Sequence, residues 1–154
     1  LAIGAGLTIT LQCDIRIAAE EARFSLPFVP LGVIPEAGST YFLPRLVGIA
    51  KACELAFTGR TITAAQAKEI GLVNDVVPAA ELKEATYKLA KRIAQAPPLA
   101  MRIAKKGLYQ GLEASIKDQI EFEKSAVMTL MRTEDFQEAI KAYMEKRKPV
   151  FKGK

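Results

Sequence analysis

The chain has 154 residues, half of them hydrophobic and a quarter charged, so it can bury one core of ordinary size. No apolar run reaches membrane-spanning length, and the absence of histidine excludes Ser-His-Asp and Cys-His mechanisms and most zinc sites. The net charge is +5. Much of the excess lies in Lys146-Arg147-Lys148 and at Lys152 and Lys154. Such a tail suits a phosphorylated ligand, nucleic acid or an acidic surface, and equally a plain solvated end.

The first residues, Leu1-Ala2-Ile3-Gly4-Ala5-Gly6, lack the basic flank of a signal peptide, so a cytoplasmic location is expected. The chain starts without Met and is expected to be a piece of a longer protein. Gly4-Ala5-Gly6 precedes a short buried helix expected over Leu7 to Leu11. Its backbone N–H groups could face an anion or a developing oxyanion, although small residues before a helix are more often a packing device. A strand is expected over Asp14–Ala18 and another over Arg23–Leu26, with a turn at Glu20-Glu21-Ala22. Pro27, Pro30 and Pro35 predict a loop with short extended pieces.

Helices are expected from near Glu36 to Val47-Gly48 and from Ala50 to about Phe57. Thr63-Ala64-Ala65-Gln66 is a capping box, and its helix ends at Gly71. Leu72–Val77 reads as a strand closed by Pro78. Leu82, Leu89 and Ile93 mark an amphipathic helix. Beyond Pro97-Pro98 three helices follow, over Met101–Tyr109, Ile116–Met131 and Phe136–Lys146. In the last, Phe136, Ile140, Tyr143 and Met144 form one apolar stripe. Cys13 and Cys53 fall in no spaced motif and read as small core residues in a reducing compartment.

Glu36, in Val33-Ile34-Pro35-Glu36-Ala37-Gly38-Ser39-Thr40, is a lone carboxylate among apolar and small residues. A carboxylate there costs free energy unless it is paired or used. It reads either as a general base or as a helix-start glutamate favoured by the helix dipole. The residues leave both open.

The order of these pieces, with Cys13-Asp14-Ile15-Arg16-Ile17-Ala18, Ala22-Arg23-Phe24, Leu31-Gly32-Val33-Ile34-Pro35, Leu43-Pro44-Arg45-Leu46-Val47-Gly48, Thr58-Gly59-Arg60 and Gly71-Leu72-Val73, resembles the crotonase, or enoyl-CoA hydratase/isomerase, superfamily. The tail Tyr143-Met144-Glu145-Lys146-Arg147-Lys148-Pro149-Val150-Phe151 is also family-like. The resemblance implies an α/β fold: the C-terminal part of a ββα spiral over residues 1–96, then an all-helical trimerisation segment over 97–154. It implies an acyl-CoA thioester as substrate and no separate cofactor or metal. It also implies a homo-oligomer, a trimer or a dimer of trimers, with no membrane partner and no nucleic acid expected.

Family enzymes hold the thioester oxygen with two backbone N–H groups. One falls here on Ala5, and the other belongs to an earlier loop that this chain does not contain. Family hydratases use two glutamates, whose positions here are Thr8 and Phe28. Neither can move a proton, so the resemblance is nearest to Δ3,Δ2-enoyl-CoA isomerases, with Glu36 as the single proton shuttle and Phe28 as an apolar wall. Thr8 and Phe28 are thus expected at the substrate pocket. Tyr143 and Lys146 correspond to the aromatic and lysine that the family uses for CoA, against the plainer reading of a packed tyrosine and a solvated lysine. A hydratase or another crotonase-type lyase or hydrolase is the second reading, and a non-catalytic acyl-CoA- or RNA-binding member the third. The fragment by itself is expected to be inactive.

Overall fold

The structure, a computed structural model, describes residues 1–154 and divides into two compact units, Leu1–Tyr87 and Lys88–Lys154. The division falls within one helix, before the Pro97-Pro98 break.

In the first unit, β1 (Ala2–Ile3) leads into α1 (Ala5–Thr8) and a 3-10 turn at Ile9–Gln12. The strands β2 (Ile17–Ala19) and β3 (Arg23–Ser25) follow, then a 3-10 turn at Val29–Leu31. Next come α2 (Ser39–Val47), α3 (Ile49–Thr58), β4 (Ile62–Thr63), α4 (Ala64–Glu69) and β5 (Asp75–Val77). β1 pairs parallel with β3, and β3 antiparallel with β4. β2 pairs parallel with β5 as a separate ribbon.

The core gathers Leu7 and Leu11 from the first turns, Phe24 and Leu26 around β3, Leu43 and Leu55 from α2 and α3, and Ile62 and Leu72. Burying each such side chain contributes about 1.5–3 kcal/mol. The expected capping box is present. Thr63 Oγ1 accepts from Gln66 N–H at 3.2 Å, and Gln66 Oε1 accepts from Thr63 N–H at 3.0 Å. Gly71 ends this helical stretch at φ 76°.

Several expectations are corrected. The strand expected from Asp14 begins only at Ile17, because Arg16 N–H donates to Asn74 Oδ1 at 2.8 Å instead of to a neighbouring strand. Arg16 is itself buried and donates through Nε to Leu72 O at 2.7 Å and through Nη1 to Cys13 O. The expected strand Leu72–Val77 shrinks to β5, since Leu72 and Val73 turn their backbone N–H groups to Ala67 O. The proline loop holds a 3-10 turn rather than extended pieces. Cys13 is exposed and Cys53 half-buried, so neither is a core residue.

The helix α5 (Leu82–Ala94) carries the division between the units. The second unit continues with α6 (Pro98–Gly111), α7 (Ile116–Leu130) and α8 (Glu134–Met144), and holds no strand. Ser115 and Thr133 cap α7 and α8 by accepting from Asp118 N–H and Phe136 N–H. α6 and α7 meet at Gly107, where a Cβ would lie 2.8 Å from the Phe122 ring. Leu108, Ile116, Val127 and Met128 stay exposed. No helix is long and apolar enough to cross a membrane.

Candidate active site

Three segments of the first unit carry the residues expected to do the chemistry. β1 brings in Ala5, β3 leads toward Phe28, and the loop before α2 carries Glu36. The pairing Ala2↔Phe24 and Ile3↔Ser25 sets the first two side by side. Gly4 N–H donates to Ser25 O at 3.0 Å, extending that register by one bond. A Cβ on Gly4 would lie 3.9 Å from Phe28 Cζ, so the glycine run passes beside the phenyl ring. The third segment is tied to the first by Gln12, whose Nε2 donates to Ala37 O at 3.1 Å.

Gly4 sits at φ 54° and ψ −127°, a conformation open to glycine at little cost. Its carbonyl accepts from Leu7 N–H at 2.9 Å and Thr8 N–H at 3.0 Å. The peptide is planar, so a Gly4 carbonyl aimed into the helix aims the Ala5 N–H out of the helix start. Ala5 is exposed. That is the geometry of a backbone donor available to an oxyanion.

Thr8 is 0% exposed, and its Oγ1 donates to Ala5 O at 3.2 Å. The hydroxyl is turned onto the helix rather than toward open space. Phe28 is half-buried at the start of the 3-10 turn, where its carbonyl accepts from Leu31 N–H and Val33 N–H.

Glu36 is not in a helix. α2 starts three residues later, because Ala37 and Gly38 take left-handed φ values of 52° and 71°. Ser39 N–H closes this turn onto Glu36 O at 2.9 Å. The carboxylate is exposed on the turn, so the helix-start explanation for it is removed. Ala37 is one of two non-glycine residues with positive φ, and the other is Lys146 at 53°. Strain of this kind costs about 1–3 kcal/mol and gathers at sites that use it.

Next to the Glu36 turn, α2, α3 and the Val29–Pro35 segment line an open, largely apolar pocket of about 270 Å³, whose wall also carries Ser39, Thr40 and Cys53. Pro35 and Ser39, on either side of the Glu36 turn, both line it. Nothing in the sequence pattern marks this pocket; it arises where Gly48, at φ 76°, folds α3 back beside α2.

In the second unit, Tyr143 and Lys146 are exposed at the end of α8, Tyr143 by 85%, which excludes a packed tyrosine within this chain. The apolar stripe on α8 is therefore largely uncovered, with Met144 also exposed. The tail is folded back onto α8. Asp135, 3% exposed, accepts from Lys152 N–H at 2.7 Å and Gly153 N–H at 2.8 Å. Arg147 makes a two-pronged ion pair with Glu138 at 2.5 and 2.8 Å, and Glu138 also accepts from Val150 N–H. This pairing holds the Glu138 carboxyl down at about 2. The sequence showed a basic tail but not this clamp, whose acidic half lies on the helix. No group of three or more His, Cys, Asp or Glu side chains is placed to hold a metal ion.

Known proteins resemble this chain along its whole length. Residues 1–154 match the family model described as enoyl-CoA hydratase/isomerase. A probable mitochondrial enoyl-CoA hydratase of Arabidopsis thaliana is 43% identical over 152 residues, 99% of this chain and 50% of the relative. An enoyl-CoA isomerase/hydratase of Mycosarcoma maydis is 38% identical over 154 residues, 99% of this chain and 56% of the relative. The solved enoyl-CoA hydratase of Bacillus anthracis superposes with a TM-score of 0.96 at 42% identity, covering 99% of this chain and 59% of that one. The chain thus spans about half the length of the curated relatives it matches. With a crotonase-type α/β fold and a match along its whole length, the chain belongs to the enoyl-CoA hydratase/isomerase family.

Proposed function

We propose that this chain supplies the base and one oxyanion donor of a Δ3,Δ2-enoyl-CoA isomerase. What supports the reading is that Thr8 and Phe28, at the two positions where the resemblance expects hydratase glutamates, are not carboxylates. Thr8 is sealed in the core against Ala5, and Phe28 presents a ring beside Gly4. Addition of water needs an oriented nucleophile and a proton donor, whereas moving a double bond needs one group that takes a proton and returns it.

In this reading Glu36 removes a proton from C2 of a 3-enoyl thioester. The electron pair delocalises through the C3–C4 double bond to the thioester oxygen. Ala5 N–H holds that oxygen together with a second donor from sequence outside this chain. Glu36 then returns its proton to C4, which leaves the double bond between C2 and C3. Phe28 keeps water from the planar dienolate. Tyr143 and Lys146 receive the CoA end, where an ammonium gains charge-assisted contacts with phosphate. The uncovered apolar residues of α6, α7 and α8 suit assembly into a trimer.

The test is conversion of 3-enoyl-CoA to 2-enoyl-CoA by the full-length protein and by Glu36→Gln. Loss of a general acid–base group lowers the rate about 10²–10⁴-fold. An unchanged rate in the variant rejects the assignment. The second reading is a hydratase, favoured by the names of several relatives, such as the 2,3-dehydroadipyl-CoA hydratase of Escherichia coli and the short-chain-enoyl-CoA hydratase of Clostridium acetobutylicum. There Glu36 would act with an acid from outside this chain. Water addition to 2-enoyl-CoA, assayed alongside, separates the two.

A further inference from the structure

α8 ends in a turn that glycine makes most easily. Arg147 N–H donates to Ala142 O at 3.0 Å, and Lys146 N–H to Tyr143 O at 3.2 Å. These are the paired bonds of a Schellman motif, with Lys146 in its left-handed position at φ 53°. A side chain there is strained where glycine is not. Strain kept at a position that carries a side chain points to a use for that side chain. Lys146 and Tyr143 are both exposed at this end of the helix.

The three successive cations Lys146, Arg147 and Lys148 are not equivalent. Arg147 sets Nη1 and Nη2 on Glu138 at 2.5 and 2.8 Å, and Nε on Glu145 at 2.6 Å. An isolated surface ion pair contributes little, but a two-pronged arginine inside a network is the exception. Val150 N–H donates to Glu138 at 2.9 Å, and the N–H groups of Lys152 and Gly153 donate to Asp135, so the tail straps Arg147 over both glutamates. Lys146 and Lys148 make no ion pair. Glu145 is the chain neighbour of Lys146. Without the guanidinium, Glu145 and Glu138 would both be open to a lysine ammonium.

We infer that Arg147 is a positioning residue for phosphate recognition: by engaging Glu138 and Glu145 it leaves the Lys146 ammonium unopposed for a phosphate of the thioester's CoA end. The assignment deepens the proposed function and rests on its placing of the CoA end at Tyr143 and Lys146. Lysine would not replace Arg147, because a single ammonium does not match two carboxylates as the planar fork does.

The experiment measures by calorimetry the dissociation constant of adenosine 3′,5′-bisphosphate for the full-length protein and its variants. Lys146→Ala binds about tenfold more weakly, the loss of one charge-assisted contact. Arg147→Ala binds about fivefold more weakly without having lost a ligand contact, whereas Lys148→Ala, with the same change of charge, loses less than about twofold. In the Lys146→Ala background Arg147→Ala has no further effect, as for residues acting through one group. Adding Glu138→Gln and Glu145→Gln to Arg147→Ala restores binding to within about twofold of native, and the recovery needs Lys146. A merely structural role gives no such rescue. In turnover, Arg147→Ala raises KM for the thioester and leaves kcat in place. Additive losses, equal losses in Arg147→Ala and Lys148→Ala, or absence of rescue each overturns the inference while leaving Lys146 as the phosphate ligand. Native-like binding by Lys146→Ala instead rejects the placing of the CoA end on which the inference rests. Because the probe undergoes no reaction, an isomerase assay that fails at Glu36 bears on neither result.

Discussion

Thr8 holds the Ala5 backbone from two directions. Its N–H donates to Gly4 O at 3.0 Å, which orients the peptide carrying the Ala5 N–H, and its hydroxyl donates to Ala5 O at 3.2 Å. A residue that is not acidic, at a position where family hydratases carry a glutamate, thus has a positioning task of its own.

Thr8→Val keeps the shape of the side chain and removes the hydroxyl bond. Its cost in denaturant unfolding is expected at about 1 kcal/mol. Under the isomerase reading, kcat falls more than KM rises, because oxyanion stabilisation acts in the transition state. Thr8→Glu places a carboxylate in a fully buried position and is expected to destabilise by roughly 3 kcal/mol or more without creating hydratase activity. A stable Thr8→Glu protein that adds water to 2-enoyl-CoA would contradict the buried placement.

Ala37 pays a conformational cost at φ 52° that glycine would not. Ala37→Gly is expected to raise stability by about 1 kcal/mol in thermal or denaturant unfolding. The same change frees the turn that carries Glu36, so isomerisation is expected to slow. Equal turnover in the more stable variant would show that the strained turn does not serve the reaction.

Gly59 sits at φ 59°, with room for no side chain. A Cβ there would lie 2.9 Å from Pro30 Cγ and 3.0 Å from Pro27 Cα. Gly59→Ala therefore combines backbone strain with a push on the segment that carries Phe28. The expected loss is about 2 kcal/mol, read as a lower denaturation midpoint with an unchanged slope.

The tail clamp is sensitive to acid. Hydrogen bonds from Arg147 and from Val150 N–H hold Glu138 at about 2, against an ordinary value of 4.5. A carboxyl depressed in the folded state contributes fully above its unfolded value and loses that contribution as pH falls through the folded one. The clamp should therefore weaken between about pH 4.5 and 2. The protection factor of the Val150 amide, its exchange rate relative to the intrinsic rate at each pH, should fall down this range in the native protein. In Glu138→Gln the same amide should exchange quickly already at pH 7. Protection that persists at pH 2 would rule out control by Glu138.

The helices were largely legible because their signals are local. Thr63 and Gln66 lie three residues apart, and α5 and α8 follow apolar spacing that any one turn can express. The strands were not, because their ends depend on distant partners. Ile17 pairs with Asp75, and the strand stops short of Arg16 because Asn74 intervenes with its side chain. Cys13 looked like a core residue by type but stands exposed on the segment that precedes β2, with its carbonyl accepting from Arg16 Nη1.

For the candidate site, the sequence by itself determined the inventory. Its motif order identified the family, the lack of histidine narrowed the chemistry, and Thr8 and Phe28 left Glu36 as the carboxylate to consider. Tertiary structure alone decided geometry. It put Glu36 on a strained turn instead of a helix end, sealed Thr8 against Ala5, and buried the Ser39 hydroxyl without a hydrogen-bond partner. The physical reason is that residue type sets what a group can do. Whether it is buried, paired or exposed depends on neighbours brought together from far along the chain.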